Sequence, residues 1–96
     1  MSVLFEWDQD KAKSNHRKHR VSFDEAQTVF LDELSITQPD PKHSLKEERL
    51  IILGMSNKHR LLVVSFTERG HKIRLISARK ATRVERKRYE QKEDFN

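Results

Sequence analysis

Three strand-like segments joined by very short turns constrain this 96-residue chain more than any other feature of its sequence. Residues 49–56, 60–68 and 72–77 are rich in leucine, isoleucine, valine and phenylalanine, and three residues separate each from the next. Turns this short connect hairpins, so the segments are predicted to pair antiparallel. The uninterrupted apolar run Leu61–Val64 predicts that the middle strand is buried on both faces, at the centre of the sheet.

Before these strands, the sequence predicts one short strand and two helices. Val3–Trp7 has strand-forming residues, and Asp8 or Asp10 can start a helix through Lys11–His19. The best packing stripe of that helix consists of Ala12, His16 and His19. A second helix is predicted to start at a capping box formed by Ser22 and Glu25. Four residues at helical spacing give it an apolar face: Phe23, Ala26, Val29 and Phe30.

Two further elements complete the prediction. Leu34–Thr37 is predicted as a short edge strand, followed by a polar loop over residues 40–48. Ser77 is predicted to cap a final helix from Ala78 to Lys92. The few apolar residues of that helix are predicted to form the face that packs against the rest of the protein. They are Ala78, Ala81, Val84 and Tyr89.

These elements predict an α+β fold in the order β-α-α-β-β-β-β-α. A small antiparallel sheet would carry two N-terminal helices and a C-terminal helix. The length allows one core, so residues 1–92 are predicted to form a single domain, with residues 93–96 frayed.

Composition excludes several classes of function. The chain has no cysteine and only two glycines, which argues against disulfide scaffolds, thiol nucleophiles and glycine-rich phosphate loops. His16 and His19 have a usable metal-ligand spacing but no obvious carboxylate partner, so no metal or other cofactor is predicted. No apolar run approaches the length of a membrane span, and the first residues lack the pattern of a signal peptide. We therefore expect a soluble, cytoplasmic protein without a membrane partner.

Charge is distributed unevenly along the chain. Residues 1–23 have five basic and three acidic residues, residues 24–48 have two and seven, and residues 49–96 have thirteen and five. A segment this basic favours a polyanionic partner such as nucleic acid, although a solvated charged surface would give the same composition.

Arginine provides the main candidate for chemistry. Arg69 ends one predicted strand, Arg74 lies within the next, and Arg79 opens the predicted last helix. Arg69 and Arg74 flank the Gly70 turn and are expected to be cross-strand neighbours. Guanidinium groups on a rigid sheet suit bidentate phosphate binding and stabilisation of a pentavalent phosphorane. The alternative, equally open at this point, is that these arginines pair with Glu68 or Glu48 on an exposed face.

Cleavage of RNA without a metal needs a proton acceptor and a proton donor. The candidate groups are His19, Glu68, Lys18 and Tyr89. His19 has a structural alternative as a hydrogen-bonded core histidine, and Tyr89 extends the packing face of the last helix. Trp7 is either a stacking platform for a base or a core residue.

Several motifs resemble the BrnT toxins. They are Phe5-Glu6-Trp7-Asp8, the stretch from Lys11 to Ala26 with Lys18-His19 and Val21-Ser22-Phe23, and Thr67-Glu68-Arg69-Gly70 leading to Ile73-Arg74 and Ser77-Ala78-Arg79. The resemblance extends over roughly residues 4–90 with the motifs in the same order. It implies a bacterial type II toxin–antitoxin system and a fold similar to that of the RelE ribonucleases. Such toxins cut RNA and so block translation.

The resemblance also implies a partner. A BrnA-type antitoxin with a DNA-binding portion would neutralise the toxin in a hetero-oligomeric complex, which would repress its own operon and contact DNA only through the antitoxin. Two sets of site residues follow, with their division our own hypothesis: for catalysis His19, Glu68, Arg69, Arg74 and Arg79, and for RNA binding Lys18, Arg49, Lys80 and Arg83.

One position departs from the family pattern. Arg20 stands where the family usually has glycine, at the end of the first helix. A helix end there favours a left-handed residue, which costs a non-glycine residue about 1 kcal/mol.

The alternative function is a non-catalytic module that binds nucleic acid or protein, including an inactive toxin scaffold that serves as a co-repressor.

Overall fold

The computed structural model describes residues 3–40 and 48–93. In that part of the chain, five strands form one sheet with the spatial order β1-β5-β4-β3-β2. The elements in chain order are β1 (Leu4–Glu6), α1 (Gln9–His19), α2 (Phe23–Gln27), a 3-10 helix (Thr28–Leu31), β2 (Ile36–Pro39), β3 (Leu50–Met55), β4 (Leu61–Arg69), β5 (Lys72–Lys80) and α3 (Arg83–Glu93).

The sheet is mixed, so the prediction of a purely antiparallel sheet is wrong at one edge. Strands β2 to β5 pair antiparallel, whereas β1 pairs parallel to β5. Most of the chain lies between β1 and β5, and no short hairpin forces them to run in opposite directions. The central position of β4 is confirmed, and Leu61–Val64 are all buried.

The predicted second helix divides into α2 and the 3-10 helix, so the N-terminal region has three helical segments instead of two. Ser22 caps α2 as predicted, since its hydroxyl accepts a hydrogen bond from the Glu25 N–H at 3.1 Å. The division occurs at Thr28, whose hydroxyl donates to the Glu25 carbonyl at 2.6 Å. That local bond, together with the β-branched Thr28 and Val29, favours a tighter turn.

The predicted start of the last helix is also wrong. Residues Ala78–Lys80 continue β5, and α3 begins only at Arg83. The strand continues because pairing with β4 extends to Leu62 opposite Lys80. The helix instead starts at a capping box in which Thr82 and Glu85 bond each other's backbone N–H. Val84, predicted to pack, is 77% exposed.

Two apolar layers cover the two faces of the sheet. Helices α1 and α2 pack on one face, where Val21, Phe23 and Ala26 meet the side chains of β3, β4 and β5. On the other face, Tyr89 of α3 packs against Leu53, Leu61 and Val63. The predicted stripe of α1 is wrong at His16, which is exposed, whereas Asn15 between Ala12 and His19 is buried.

Parts of two predictions fall on residues that the structure does not describe. The predicted loop over residues 40–48 lies largely on residues 41–47, and the predicted frayed terminus includes residues 94–96. The edge strand β2 is shifted by two residues from its predicted position. Within residues 3–40 and 48–93, no helix combines the length and apolar character that crossing a bilayer requires.

Candidate nucleic-acid interface

One face of the sheet carries four of the five lysine and arginine residues of β4 and β5. Alternate residues of a strand point to the same face, and the register places Thr67 opposite Arg74 and Arg69 opposite Lys72. Glu6 of β1 pairs with Arg74 from the other side. We call this surface the arginine face; its members are Glu6, Thr67, Arg69, Lys72, Arg74, Ser77 and Arg79.

A β-bulge brings Arg74 and Arg79 onto the same face. The two residues are five positions apart, so in a regular strand they would point to opposite faces. The register shifts between Ser65 and Phe66, which pair with Ser77 and Leu75 and leave Ile76 as an extra residue. After this bulge, Arg79 pairs with Val63, four residues from Thr67 on the same strand, and therefore shares the face of Arg74.

Arg74 lies at the centre of the arginine face and is only lightly held. Its side chain is one-third exposed, and its Nη1 lies 3.3 Å from Oε2 of Glu6. The Lys72 Nζ lies 3.8 Å from the other carboxylate oxygen of Glu6. A guanidinium has five N–H donors, so this arrangement leaves Arg74 with donors for a phosphate.

Arg79 is held much more firmly. Its Nη1 and Nη2 donate to the two carboxylate oxygens of Glu85 at 2.8 and 2.9 Å. The Arg79 guanidinium lowers the pKa of Glu85 to about 2. Glu85 also accepts from the Thr82 N–H at the start of α3. Arg79 therefore ties β5 to the first turn of α3, which borders the arginine face.

Arg69 is exposed at the end of β4 and lies diagonally across from Arg74. The two are not a directly opposed pair, because the two-residue turn at Gly70 and His71 places Arg69 opposite Lys72. Gly70 has φ 60°, a left-handed conformation that suits glycine. Diagonal neighbours on one face are about 7–8 Å apart, close enough for both guanidinium groups to contact one phosphodiester.

The remaining predicted site residues lie elsewhere. Glu68 pairs with Ile73 and Lys80 with Leu62, so both lie on the opposite sheet face from the arginines, and both are exposed. Lys18 is exposed and His19 half-buried at the end of α1; Arg49 is half-buried just before β3; Arg83 is exposed at the start of α3. Tyr89 is buried and its hydroxyl donates to Asp32 at 2.6 Å, which indicates a packing role.

Asn15, which sequence reasoning missed, fixes α1 against the sheet. Its Nδ2 donates to the carbonyls of Ala78 and Val21 at 2.9 and 3.0 Å, and its Oδ1 accepts from the Ala78 N–H at 3.1 Å. These bonds place α1 beside the residue that precedes Arg79. A polar residue within the packing stripe of a helix was the signal that could have revealed it.

A buried ion pair holds the end of α1. Glu25 is 3% exposed and accepts from the Ser56 hydroxyl at 2.6 Å and from Arg60, whose Nε lies 2.9 Å away. The Arg60 guanidinium lowers the pKa of Glu25. Arg60 also donates to the Arg20 carbonyl at 3.1 Å. The left-handed conformation predicted for Arg20 is confirmed, with φ 59°.

One buried polar group on the arginine face lacks a partner. Thr67 is 2% exposed, and its hydroxyl makes no hydrogen bond within the described part of the chain. Such groups are rare in folded proteins. Among the described residues, no group of three or more His, Cys, Asp or Glu side chains is placed to hold a metal ion.

Comparisons with known proteins identify the family. The family described as "Ribonuclease toxin, BrnT, of type II toxin-antitoxin system" matches residues 7–85. A 1.1 Å crystal structure of the Brucella abortus ribonuclease toxin BrnT superimposes with a TM-score of 0.68 at 24% identity, over 85% of this chain and 100% of that one, which supports the same fold. No curated protein sequence matches. Because the family match extends over most of its length, this chain belongs to the BrnT family of ribonuclease toxins of type II toxin–antitoxin systems.

Proposed function

We propose that this chain is an RNA endonuclease that cuts RNA on the arginine face, blocks translation and needs no metal or other cofactor. A single observation carries the proposal: the bulge at Ile76 aligns Arg74 and Arg79 on the face that also holds Arg69 and Lys72. Nothing in the packing of the sheet requires four basic side chains on one face. A polyanion that binds this face would explain why the four basic side chains are grouped there, because each of them can contact its phosphates.

The proposed chemistry uses the 2′-hydroxyl of the RNA as the nucleophile. Its oxygen attacks the adjacent phosphorus, the bond to the 5′-oxygen breaks, and the product ends in a 2′,3′-cyclic phosphate. Arg69 and Arg74 stabilise the additional negative charge of the phosphorane, a contribution that donors fixed on a strand provide without reorganisation. The phosphate takes the place of Glu6 at the Arg74 guanidinium, with which Glu6 makes one contact of 3.3 Å.

Proton transfer is assigned to water in this proposal, because neither predicted proton-transfer group reaches the arginine face. Glu68 points to the opposite sheet face, and His19 ends α1, which packs on that opposite face. Water takes the proton of the 2′-hydroxyl and protonates the departing 5′-oxygen. Arg79 holds the border of the site through Glu85. The proposed RNA contacts outside the arginine face are Lys18, Arg49, Lys80 and Arg83.

The biological setting follows from the family. We propose a cytoplasmic toxin with a single RelE-like domain over residues 1–92. A BrnA-type antitoxin neutralises it, and the complex represses its own operon, with DNA bound through the antitoxin.

A cleavage assay tests the activity. Purified protein is incubated with end-labelled RNA in the presence of EDTA, and products with 2′,3′-cyclic phosphate ends are expected. Arg74→Ala should form them about 100-fold more slowly, whereas Arg86→Ala, which removes the same charge from an exposed position of α3, should form them at the parent rate. RNA that binds without being cut would contradict the proposal and favour the non-catalytic module.

A further inference from the structure

A second surface, which includes no member of the arginine face, has no role in the proposed reaction. It is a groove between α1 and the start of α2, and Trp7, Lys13, His16, Arg17 and Phe23 are among the residues that line it. Both helices pack on the sheet face opposite the arginines. The groove and the arginine face are therefore separate surfaces.

The floor of the groove is aromatic. The Trp7 and Phe23 rings meet edge to face with their centroids 5.8 Å apart. Phe23 is buried, and Trp7 is only partly buried although it packs against the core. An indole fixed in this way offers apolar surface to a side chain without having to become ordered first.

One wall of the groove is basic. Lys13, His16 and Arg17 are exposed at helical positions i, i+3 and i+4 along α1, and none makes a side-chain hydrogen bond or ion pair within residues 3–40 and 48–93. Neighbours at this spacing repel when all are charged. The positive charges of Lys13 and Arg17 therefore do not stabilise the fold through an ion pair in the described part of the chain, unlike those of Arg60 and Arg79.

We propose that this groove binds an acidic segment of the antitoxin, with an apolar or aromatic side chain on the Trp7–Phe23 floor and carboxylates against Lys13 and Arg17. The proposal rests on the toxin–antitoxin function of the family. Charge complementarity selects an acidic occupant. Asp24 on the opposite wall would repel the continuous phosphate backbone of RNA, whereas a peptide can place an uncharged residue beside it.

In this proposal, neutralisation of the toxin uses two surfaces, the groove and the arginine face. A segment in the groove anchors the antitoxin without contact with the arginine face, so the rest of the antitoxin is held at high effective concentration near the site that it blocks. Loss of the anchor should weaken neutralisation and leave RNA cleavage unchanged.

The test measures affinity and needs no catalytic activity. The antitoxin encoded beside this toxin is purified, and its Kd is measured for the full chain, for Lys13→Glu/Arg17→Glu and for Arg86→Glu/Lys87→Glu. The second variant makes the same change in charge on exposed α3 positions. We expect the α1 variant to bind at least about tenfold more weakly, equivalent to about 1.4 kcal/mol, and the α3 variant to bind as the parent does.

Trp7 provides a direct report of occupancy because it is the only tryptophan of the chain. Its fluorescence should become shielded from acrylamide quenching when the antitoxin binds. Equal loss of affinity in both variants, or a Trp7 that stays as accessible in the complex as in the free toxin, would overturn the proposal. Shielding by an RNA oligonucleotide instead of the antitoxin would also overturn it. Circular dichroism of both variants confirms that they are folded.

Discussion

Two glutamate–arginine pairs in this molecule have the same chemistry and very different settings. In the Glu25–Arg60 pair the carboxylate side chain is 1% exposed, and Ser56 and Arg60 satisfy it. In the Glu6–Arg74 pair both side chains are about one-third exposed and meet at 3.3 Å. The first pair joins the turn before β4 to the helical layer, while the second lies open on the arginine face.

The difference indicates which arginine is available for a ligand. Arg60 uses its donors on Glu25 and on the carbonyl of Arg20, so a phosphate would have to break buried contacts to reach it. Arg74 can exchange a weak, solvated contact for a phosphate at small cost, because partly exposed ion pairs contribute about 0–1 kcal/mol.

Arg60→Ala should lower the free energy of unfolding by about 3–5 kcal/mol, because it leaves the Glu25 carboxylate buried without its cation. Urea denaturation followed by circular dichroism measures this loss. Arg86→Ala, at an exposed site, is the control and should change stability by less than about 0.5 kcal/mol. An Arg60→Ala protein as stable as the parent would show that the buried pair does not hold the helical layer in place.

Arg74→Ala should reduce the rate of RNA cleavage by about 100-fold, or about 3 kcal/mol of transition-state stabilisation, and reduce stability by less than about 1 kcal/mol. Arg74→Lys keeps the charge without the bidentate fork and should recover only part of the rate. Single-turnover cleavage and denaturation of the same samples provide both numbers. Full activity in a folded Arg74→Ala protein would remove Arg74 from the site.

Glu85→Gln should lower the free energy of unfolding by about 1–2 kcal/mol, because it weakens both the Arg79 contact and the cap of α3. It also removes one negative charge beside the arginine face, so RNA should bind more tightly at low ionic strength. Thermal unfolding and RNA titration measure the two effects. Glu90→Gln, at an exposed position of α3, makes the same change in charge and should leave stability unaltered.

Stability should depend on pH in the acidic range. Arg79 lowers the pKa of Glu85 from 4.5 to about 2, so the folded state binds this proton less readily than the unfolded state. The stabilisation is fully present above pH 4.5 and is lost as the pH falls to about 2. Denaturation midpoints recorded from pH 6 to pH 2 should fall less steeply for Glu85→Gln than for the parent.

The sequence predicts the elements that depend on local patterns. The short turns and the apolar run Leu61–Val64 identify the central hairpins, and the spacing of Ser22 and Glu25 correctly marks the start of α2. The family motifs identify the toxin class. These features succeed because each depends on residues that are close together in the sequence.

The features that were missed depend on contacts between distant segments. No residue pattern near Ile76 indicates a bulge, yet the bulge decides the face on which Arg79 lies. The parallel pairing of β1, and the continuation of β5 to Lys80, likewise depend on partners elsewhere in the chain. Ser77 is a residue type that can cap a helix, but backbone pairing with β4 keeps this segment in strand β5.

The contact between Asn15 and Ala78 has a consequence for association between copies of the protein. Strand β1 covers only Lys72–Arg74, and among residues 3–40 and 48–93 no other strand lies along that edge of β5. At Ala78 the amide of Asn15 occupies both the N–H and the carbonyl that another strand would use. Unpaired edges are where sheets of different molecules join and aggregate. The sheet therefore cannot be extended through Ala78 unless α1 is first displaced, and the side chain that positions the helix also keeps neighbouring molecules apart.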